Sequence, residues 1–358
     1  MDLQFNRLLI MDFSHALHRA IAQPNLWEMR DSYGRRTGGI YGSMNTLLKE
    51  CSTYNYFPIA VFDGHLSPRR LALYDNYKKY KDKQLLVENV EELSELELLQ
   101  KEQRAEYNTQ RELVKDILRS FGIPVLHLEN WEGDDLIYIL TKLAKDSIIV
   151  SDDKDMLQMI CDTPERRCRV HRGMRDEFWD VNKLNEQGIN QTEFIACKAI
   201  IGDPSDNIPS ACFQVGEKTA LGLYQLYCKS VENNRPFPKD EKQLEESSKL
   251  FNIPKRKAYL NFDENQFYIN VLLMDLSLVE NDIDEEVLTQ IKLAINDRQK
   301  YMNFKLANTL LEDLDIKSYN VEGLIKCLNR TQSRIDIGSY NPNDDMSDVN
   351  TVLTGKLF

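Results

Sequence analysis

With 358 residues the chain is long enough for two domains, each with its own core. Its 45 Lys and Arg face 57 Asp and Glu, a formal net charge of −12, which excludes a protein that holds nucleic acid by bulk charge. Seven cysteines without a C-x-x-C pair exclude a disulfide framework and a structural zinc site; with no membrane-length apolar run and no signal peptide, a reducing cytoplasm is expected.

Leu8-Leu9-Ile10-Met11 has the pattern of a buried strand and runs straight into Asp12. Ile59-Ala60-Val61-Phe62 runs in the same way into Asp63-Gly64. From about residue 70 to 117 the strand–helix alternation breaks. Arg69, Arg70, Lys78, Lys79, Lys81 and Lys83 lie within fifteen positions, interleaved with Tyr74, Tyr77 and Tyr80. An acidic, leucine-bearing helical pattern follows, from Leu85 to Leu99, and the whole segment reads as an insertion over a strand rim.

Pro124 to Leu128 is the next strand pattern; it leads to Trp131-Glu132-Gly133-Asp134-Asp135 and a helix from Leu136 to Ala144. Ser147-Ile148-Ile149-Val150 ends in Ser151-Asp152-Asp153-Lys154-Asp155. A second basic group, Arg166, Arg167, Arg169, His171, Arg172 and Arg175, suits a solvated helix face and a phosphate-binding patch equally well. From about 196 to 330 the pattern is mainly helical. It contains Gly202-Asp203-Pro204-Ser205-Asp206-Asn207 and Gly216-Glu217-Lys218-Thr219-Ala220, the second a tight turn opening a helix. Thr331 to Phe358, rich in Ser, Asn, Asp and Gly, is expected to be a flexible tail.

Strands alternating with helices of this length point to a parallel sheet with crossover helices, in which ligands collect outside the carboxyl ends of the strands. Asp12, Asp63, the acids from Glu132 to Asp135 and those from Asp152 to Asp155 would then share one rim. A lone Asp after a strand is ordinarily a turn residue. Four such ends together gather charge that repels itself unless cations neutralise it, and carboxylate oxygens are what hard divalent ions prefer. Asp153 and Asp155 are two residues apart, able to share one side of an extended backbone.

Several of these motifs, together with Leu9-Ile10-Met11-Asp12-Phe13-Ser14, Phe62-Asp63 and Tyr77-Lys78-Lys79, carry a resemblance in this order and at these separations. From about Leu8 to Lys326 the chain resembles the flap endonuclease/5′-nuclease superfamily, and within it the replication 5′-nucleases of T4-like phages called RNase H. That resemblance implies an α/β fold: a PIN-like parallel twisted sheet flanked by helices at 1–195, with an arch insertion at about 70–117. A mainly helical DNA-binding domain with a helix–three-turn–helix would follow at 196–330, and the tail at 331–358. It implies a 5′→3′ exonuclease or flap endonuclease that removes RNA primers or 5′ flaps during phage DNA replication.

The cofactors implied are two Mg2+ ions, with Mn2+ as a substitute. The metal ligands would be Asp12, Asp63, Glu132, Asp134, Asp135, Asp153, Asp155, Asp203 and Asp206. Lys78 and Lys81 would act on the phosphate, Lys81 standing where many relatives have Arg. Arg69, Arg70, Tyr77, Lys79, Gly216, Lys218 and Thr219 would contact nucleic acid. Ser210 to Gly216 lacks two of the three glycines of the family's hairpin, which argues against the K+ ion held there in relatives.

The partners implied are branched or nicked DNA and RNA–DNA hybrids, bound by a monomer without a membrane. Leu353 and the terminal Leu357-Phe358 are reminiscent of peptides that dock on a sliding clamp, or on a single-strand binding protein. Two other function classes compete, the first opposed by the segment from Gly202 to Ala220 and the Tyr/Lys cluster, the second by the acids that stand at every ligand position. One is a phosphatase with an aspartyl nucleophile; the other is a DNA-binding relative that has lost its metal site.

Overall fold

The computed structural model describes residues 5–79 and 94–332. Lys81, most of the acidic leucine-bearing segment, and the tail with Leu353, Leu357 and Phe358 lie outside the described residues. The chain forms two compact units. The first takes the described residues up to Gly64, Glu102–Asp180 and those from Ile283 on; the second takes those between His65 and Lys101, and Val181–Asp282.

This differs from a linear split near residue 195. The insertion's first residues belong to the second unit, and the last helices return to the first. Their apolar stripe is the reason: Ala307, Leu311, Leu314, Leu324 and Leu328 are buried in the same core as Leu9, Met11, Ala60 and Phe62. A pattern read along the chain shows that these helices are amphipathic but not which surface they cover.

The first unit is built on a seven-stranded sheet. The strands are β1 (Phe5–Asp12), β2 (Phe57–Val61), β3 (Val125–Leu126), β4 (Ala144–Val150), β5 (Cys161–Asp162), β6 (Arg167–Arg172) and β7 (Glu177–Trp179). In the order β3-β2-β1-β4-β6 neighbouring strands are parallel, Ile10 lying opposite both Ile59 and Ile149, whereas β5 and β7 pair antiparallel with β6. Leu8, Leu9, Ile10 and Met11 are fully buried. A strand covered on both faces needs such an unbroken apolar run. Because the strands are parallel, the chain leaves β1, β2, β3 and β4 on the same edge of the sheet.

The second basic group is neither a helix face nor an open patch; it is strand β6 and its flanks. Arg167 and Arg169 donate to the fully buried Asp146 at 2.6 and 2.8 Å, and His171 Nδ1 lies 2.7 Å from Glu50 Oε2. Arg172 pairs with Glu177 at 3.3 Å and donates to the Asp152 carbonyl. Period-two alternation puts Arg167, Arg169 and His171 on one face of the strand, where Asp146 pairs with the two arginines and Glu50 lies against the imidazole.

In the second unit the helices Gln191–Ile201, Glu217–Glu232, Glu241–Phe251 and Glu264–Met274 enclose a core that includes Leu223, Leu226, Tyr259 and Phe267. The short helix Pro68–Leu73 is fastened in this unit by its arginines. Arg70, 3% exposed, donates to Leu273 O at 2.9 Å, and Arg69 donates to Asp282 at 2.8 Å and to Leu272 O at 2.9 Å. Among the described residues no helix is long and apolar enough to cross a membrane.

Candidate active site

Asp12 ends β1 and caps the helix Phe13–Ala22. Its Oδ1 accepts from His15 N–H at 2.9 Å, and its Oδ2 accepts from Ser151 Oγ at 2.8 Å. Burial, and next the charge of Asp63, push its carboxyl up to about 6, although His15 works in the opposite direction. Asp12 and Asp63 thus repel one another across the ends of adjacent strands.

Asp63 is seated from three sides. Its N–H donates to Ser14 Oγ at 2.9 Å, and Ser14 Oγ lies 2.9 Å from the Tyr107 hydroxyl. Its Oδ1 accepts from Gly133 N–H at 2.8 Å. The neighbouring Gly64 has no room for a side chain, because a Cβ there would stand 1.9 Å from the Leu128 carbonyl oxygen. Tyr107 also stacks on His18, the ring centroids 3.7 Å apart.

Glu132 immediately precedes the helix Gly133–Leu143, which starts three residues earlier than the apolar pattern indicates, so Asp134 and Asp135 occupy its first turn. Acids are favourable there because they face the unpaired N–H groups. Glu132 and Asp135 are 5% and 2% exposed, and Asp134 is half-buried. Past β4, Asp153 caps the 3-10 turn Lys154–Met159 by accepting from Asp155 N–H at 2.8 Å.

Asp152, in the same acidic run, is already engaged. It pairs with Arg19 at 2.8 Å, lies 3.4 Å from His15 Nε2, and accepts from Met174 N–H at 2.8 Å. Burial alone would raise its pKa, but the bonds from His15 and Met174 and the charge of Arg19 hold it well below the usual carboxylate range. Asp152 balances its charge internally, whereas the charges that act on Asp12 are the like charge of Asp63 and, against it, that of His15. As the side chains stand, no three His, Cys, Asp or Glu residues converge tightly enough to hold a metal ion, among the described residues. Asp63 and Asp153 are exposed, so rotation about their side-chain bonds is open to them.

The remaining expected site residues lie in the second unit, where a second pair of acids sits beside lysines. Asp203 Oδ2 is 3.1 Å from Lys198 Nζ, and Asp206 Oδ2 is 3.6 Å from Lys78 Nζ. Lys78 has a left-handed backbone (φ 54°), and its N–H donates to Asp206 O at 2.9 Å. Tyr77 is buried at 4% exposure in that unit's core, whereas Lys79, Gly216 and Lys218 are exposed and Thr219 half-buried. Gly216 caps the helix Glu217–Glu232, and the space where its Cβ would lie is open. Tyr107, which supports Ser14, carries no signal in the sequence, because a lone hydroxyl announces no partner; Ser14 and Ser151 stand inside motifs read there, but nothing in those motifs assigns them Asp63 and Asp12.

The family described as "5′-3′ exonuclease, N-terminal resolvase-like domain" matches residues 7–189, more than half of the chain. A 5′-3′ exonuclease of Aquifex aeolicus is 30% identical over 265 residues, which cover 69% of this chain and 81% of that protein. The DNA polymerase I of Lactococcus lactis subsp. cremoris is 31% identical over 242 residues, 64% of this chain. The chain spans only 15 to 32% of the length of three DNA polymerase I relatives that it matches.

Two solved structures share the fold. A bacteriophage T5 flap endonuclease in complex with DNA and metal ions superposes with a TM-score of 0.57 at 18% identity, covering 82% of this chain and 98% of that one. A T5 5′-exonuclease with bound zinc gives 0.55 at 20% identity, covering 82% and 99%. Five parallel strands of a mixed sheet with acids beyond their ends, a family match across it and a relative aligned over most of both chains agree: the chain belongs to the 5′-3′ exonuclease family.

Proposed function

We propose that the chain is a divalent-metal-dependent phosphodiester hydrolase, a 5′→3′ exonuclease and flap endonuclease that removes RNA primers or 5′ flaps from branched or nicked DNA. The observation that carries this reading is the paired repulsion of Asp12 and Asp63 at the rim where β1 and β2 end, with further acids beyond β3 and β4. A carboxylate held up to about 6 by burial and a like charge is what a cation relieves, and an all-oxygen donor set suits magnesium or manganese. Asp12, Asp63, Glu132, Asp134, Asp135, Asp153 and Asp155 would hold the ions. Two ions bound by such a set would lower the pKa of an attacking water and stabilise the leaving oxygen.

The chain's own contribution is placement. Ser151 and His15 orient Asp12, while Ser14 and Gly133 orient Asp63. In the second unit, Lys78 would offset phosphate charge, and the exposed Lys79 and Lys218 would hold the strand through its phosphates. Docking of the tail on a replication clamp rests on Leu353, Leu357 and Phe358 alone; deletion of residues 353–358 tests it.

The test is cleavage of 5′-labelled flap, nicked and RNA–DNA substrates with magnesium, manganese or EDTA. Short 5′ products that vanish with EDTA support the reading. Release of inorganic phosphate without strand cleavage would favour the aspartyl phosphatase, and binding without any product would favour a non-catalytic relative.

A further inference from the structure

Lys115, in the helix Glu95–Ser120, is 1% exposed. Its Nζ lies 2.7 Å from His127 Nδ1, 3.0 Å from Glu112 Oε1 and 5.3 Å from the centre of the Phe62 ring. Glu112 is largely exposed, so solvent screens that ion pair. The contacts that remain inside are the imidazole and the ring. Burying an ammonium is costly, and an apolar side chain of similar shape would fill the space without that cost. Stability alone does not account for a lysine here.

Both inner partners border Asp63. Phe62 precedes it in the chain. His127 begins the loop that runs to Glu132 and closes on Asp63-Gly64: Gly64 N–H donates to Trp131 O at 2.9 Å, and the Leu128 carbonyl fills the space of a Gly64 side chain. The loop ends at Gly133, whose N–H donates to the Asp63 carboxylate at 2.8 Å. Lys115 therefore touches both segments that meet at Asp63.

We propose that Lys115 is a positioning residue of this site: by donating to His127 Nδ1 it fixes the loop from His127 to Glu132, and through it the Asp63 carboxylate. The arrangement requires a neutral His127 with its proton on Nε2. Arg111, Glu112 and Lys115 face His127 from the helix, and Asp63 from the end of β2. Burial and the Lys115 charge hold the imidazole below its ordinary pKa, which keeps it an acceptor at neutral pH. The inference rests on the nuclease reading above.

The test measures single-turnover flap cleavage, substrate affinity and thermal melting for wild type, Lys115→Met, His127→Asn and His127→Leu, with 15N NMR of the wild-type histidines. Lys115→Met should melt at or above the wild-type temperature, bind substrate as wild type does, and cleave about tenfold or more slowly. His127→Asn keeps an acceptor and should retain clearly more activity than His127→Leu. The His127 Nδ1 resonance should be that of an unprotonated acceptor. Wild-type cleavage with an unchanged Lys115→Met rate would overturn the inference while leaving the nuclease reading intact, whereas a wild type that does not cleave sinks both. If Lys115→Met fails to fold, the histidine variants decide: equal rates for Asn and Leu overturn the proposal, and a gap in favour of Asn supports it.

Discussion

Ser151 Oγ donates to Asp12 Oδ2 at 2.8 Å, so the end of β4 holds the carboxylate that ends β1. Even with that bond and one from His15 N–H, the Asp12 carboxyl stays raised from 3.8 to about 6, because burial and Asp63 outweigh both. A folded-state pKa above the unfolded one means that folding favours the protonated acid. The stabilisation is fully present below about pH 4 and is lost as pH rises through 6. Asp12→Asn, which cannot ionise, should therefore be more stable than wild type at pH 7.5 without metal, by about 1–3 kcal/mol. The gap should close near pH 4. Urea denaturation in EDTA at both pH values checks this, and a gap independent of pH would refute it. Cleavage by the variant should be lost.

Asp153 is exposed and caps the turn Lys154–Met159 through its Oδ1. Asparagine caps as well as aspartate does, so Asp153→Asn should stay folded and melt near the wild-type temperature. It should also lose metal-dependent hydrolysis while still binding flap DNA. Near-normal cleavage would remove Asp153 from the ligand set, and unfolding would assign it a structural role.

Gly133 packs directly on the Asp63 carboxylate; a Cβ there would stand 2.6 Å from Asp63 Oδ1. The obstructing atom is the end of a side chain that can rotate away, and alanine in a helix is favourable. Gly133→Ala should thus cost little stability but displace the carboxylate, lowering the cleavage rate by about tenfold or more. A variant that melted far lower yet cleaved normally per folded molecule would contradict this.

Asp146 is fully buried between Arg167, Arg169 and the Tyr56 hydroxyl, which donates at 2.6 Å. Removing its charge takes the carboxylate away from two half-enclosed guanidinium groups. Asp146→Asn should destabilise the fold by about 3–5 kcal/mol, read from urea denaturation. It should leave the rate per folded molecule unchanged, since Asp146 enters β4 at the edge opposite the acid rim.

The strand ends were legible because strands buried on both faces read as unbroken apolar runs, and an acid after each run is easy to see. That logic could not separate Asp152 from Asp153. Both follow the same strand, and only the fold brings Arg19 and His15 to Asp152. It could not separate arginines either. Arg69 and Arg70 share a basic run with Lys78 and Lys79, yet each ties its helix to backbone oxygens far along the chain. β3 lies inside the strand pattern at Pro124 to Leu128, but its limit to two residues is set by its pairing to β2. Charge is local in sequence, whereas its neutralisation is not.

Lys78 sits in the left-handed region at φ 54°, held there by its N–H bond to Asp206 O, with Nζ 3.6 Å from Asp206 Oδ2 and 5.0 Å from the Tyr77 ring centre. A lysine that only balanced Asp206 would be replaceable, because that carboxylate is partly exposed and water can take over. Asparagine tolerates the left-handed conformation better than most residues, so Lys78→Asn removes the charge without adding backbone strain. If Lys78 stabilises charge that develops on the phosphate during cleavage, the single-turnover rate should fall about a hundredfold while flap affinity changes by about threefold at most. Rapid-quench kinetics beside equilibrium binding in calcium or EDTA separates the two quantities. Equal losses in rate and affinity would make Lys78 a phosphate-positioning contact instead. An unchanged rate would confine its role to the ion pair with Asp206.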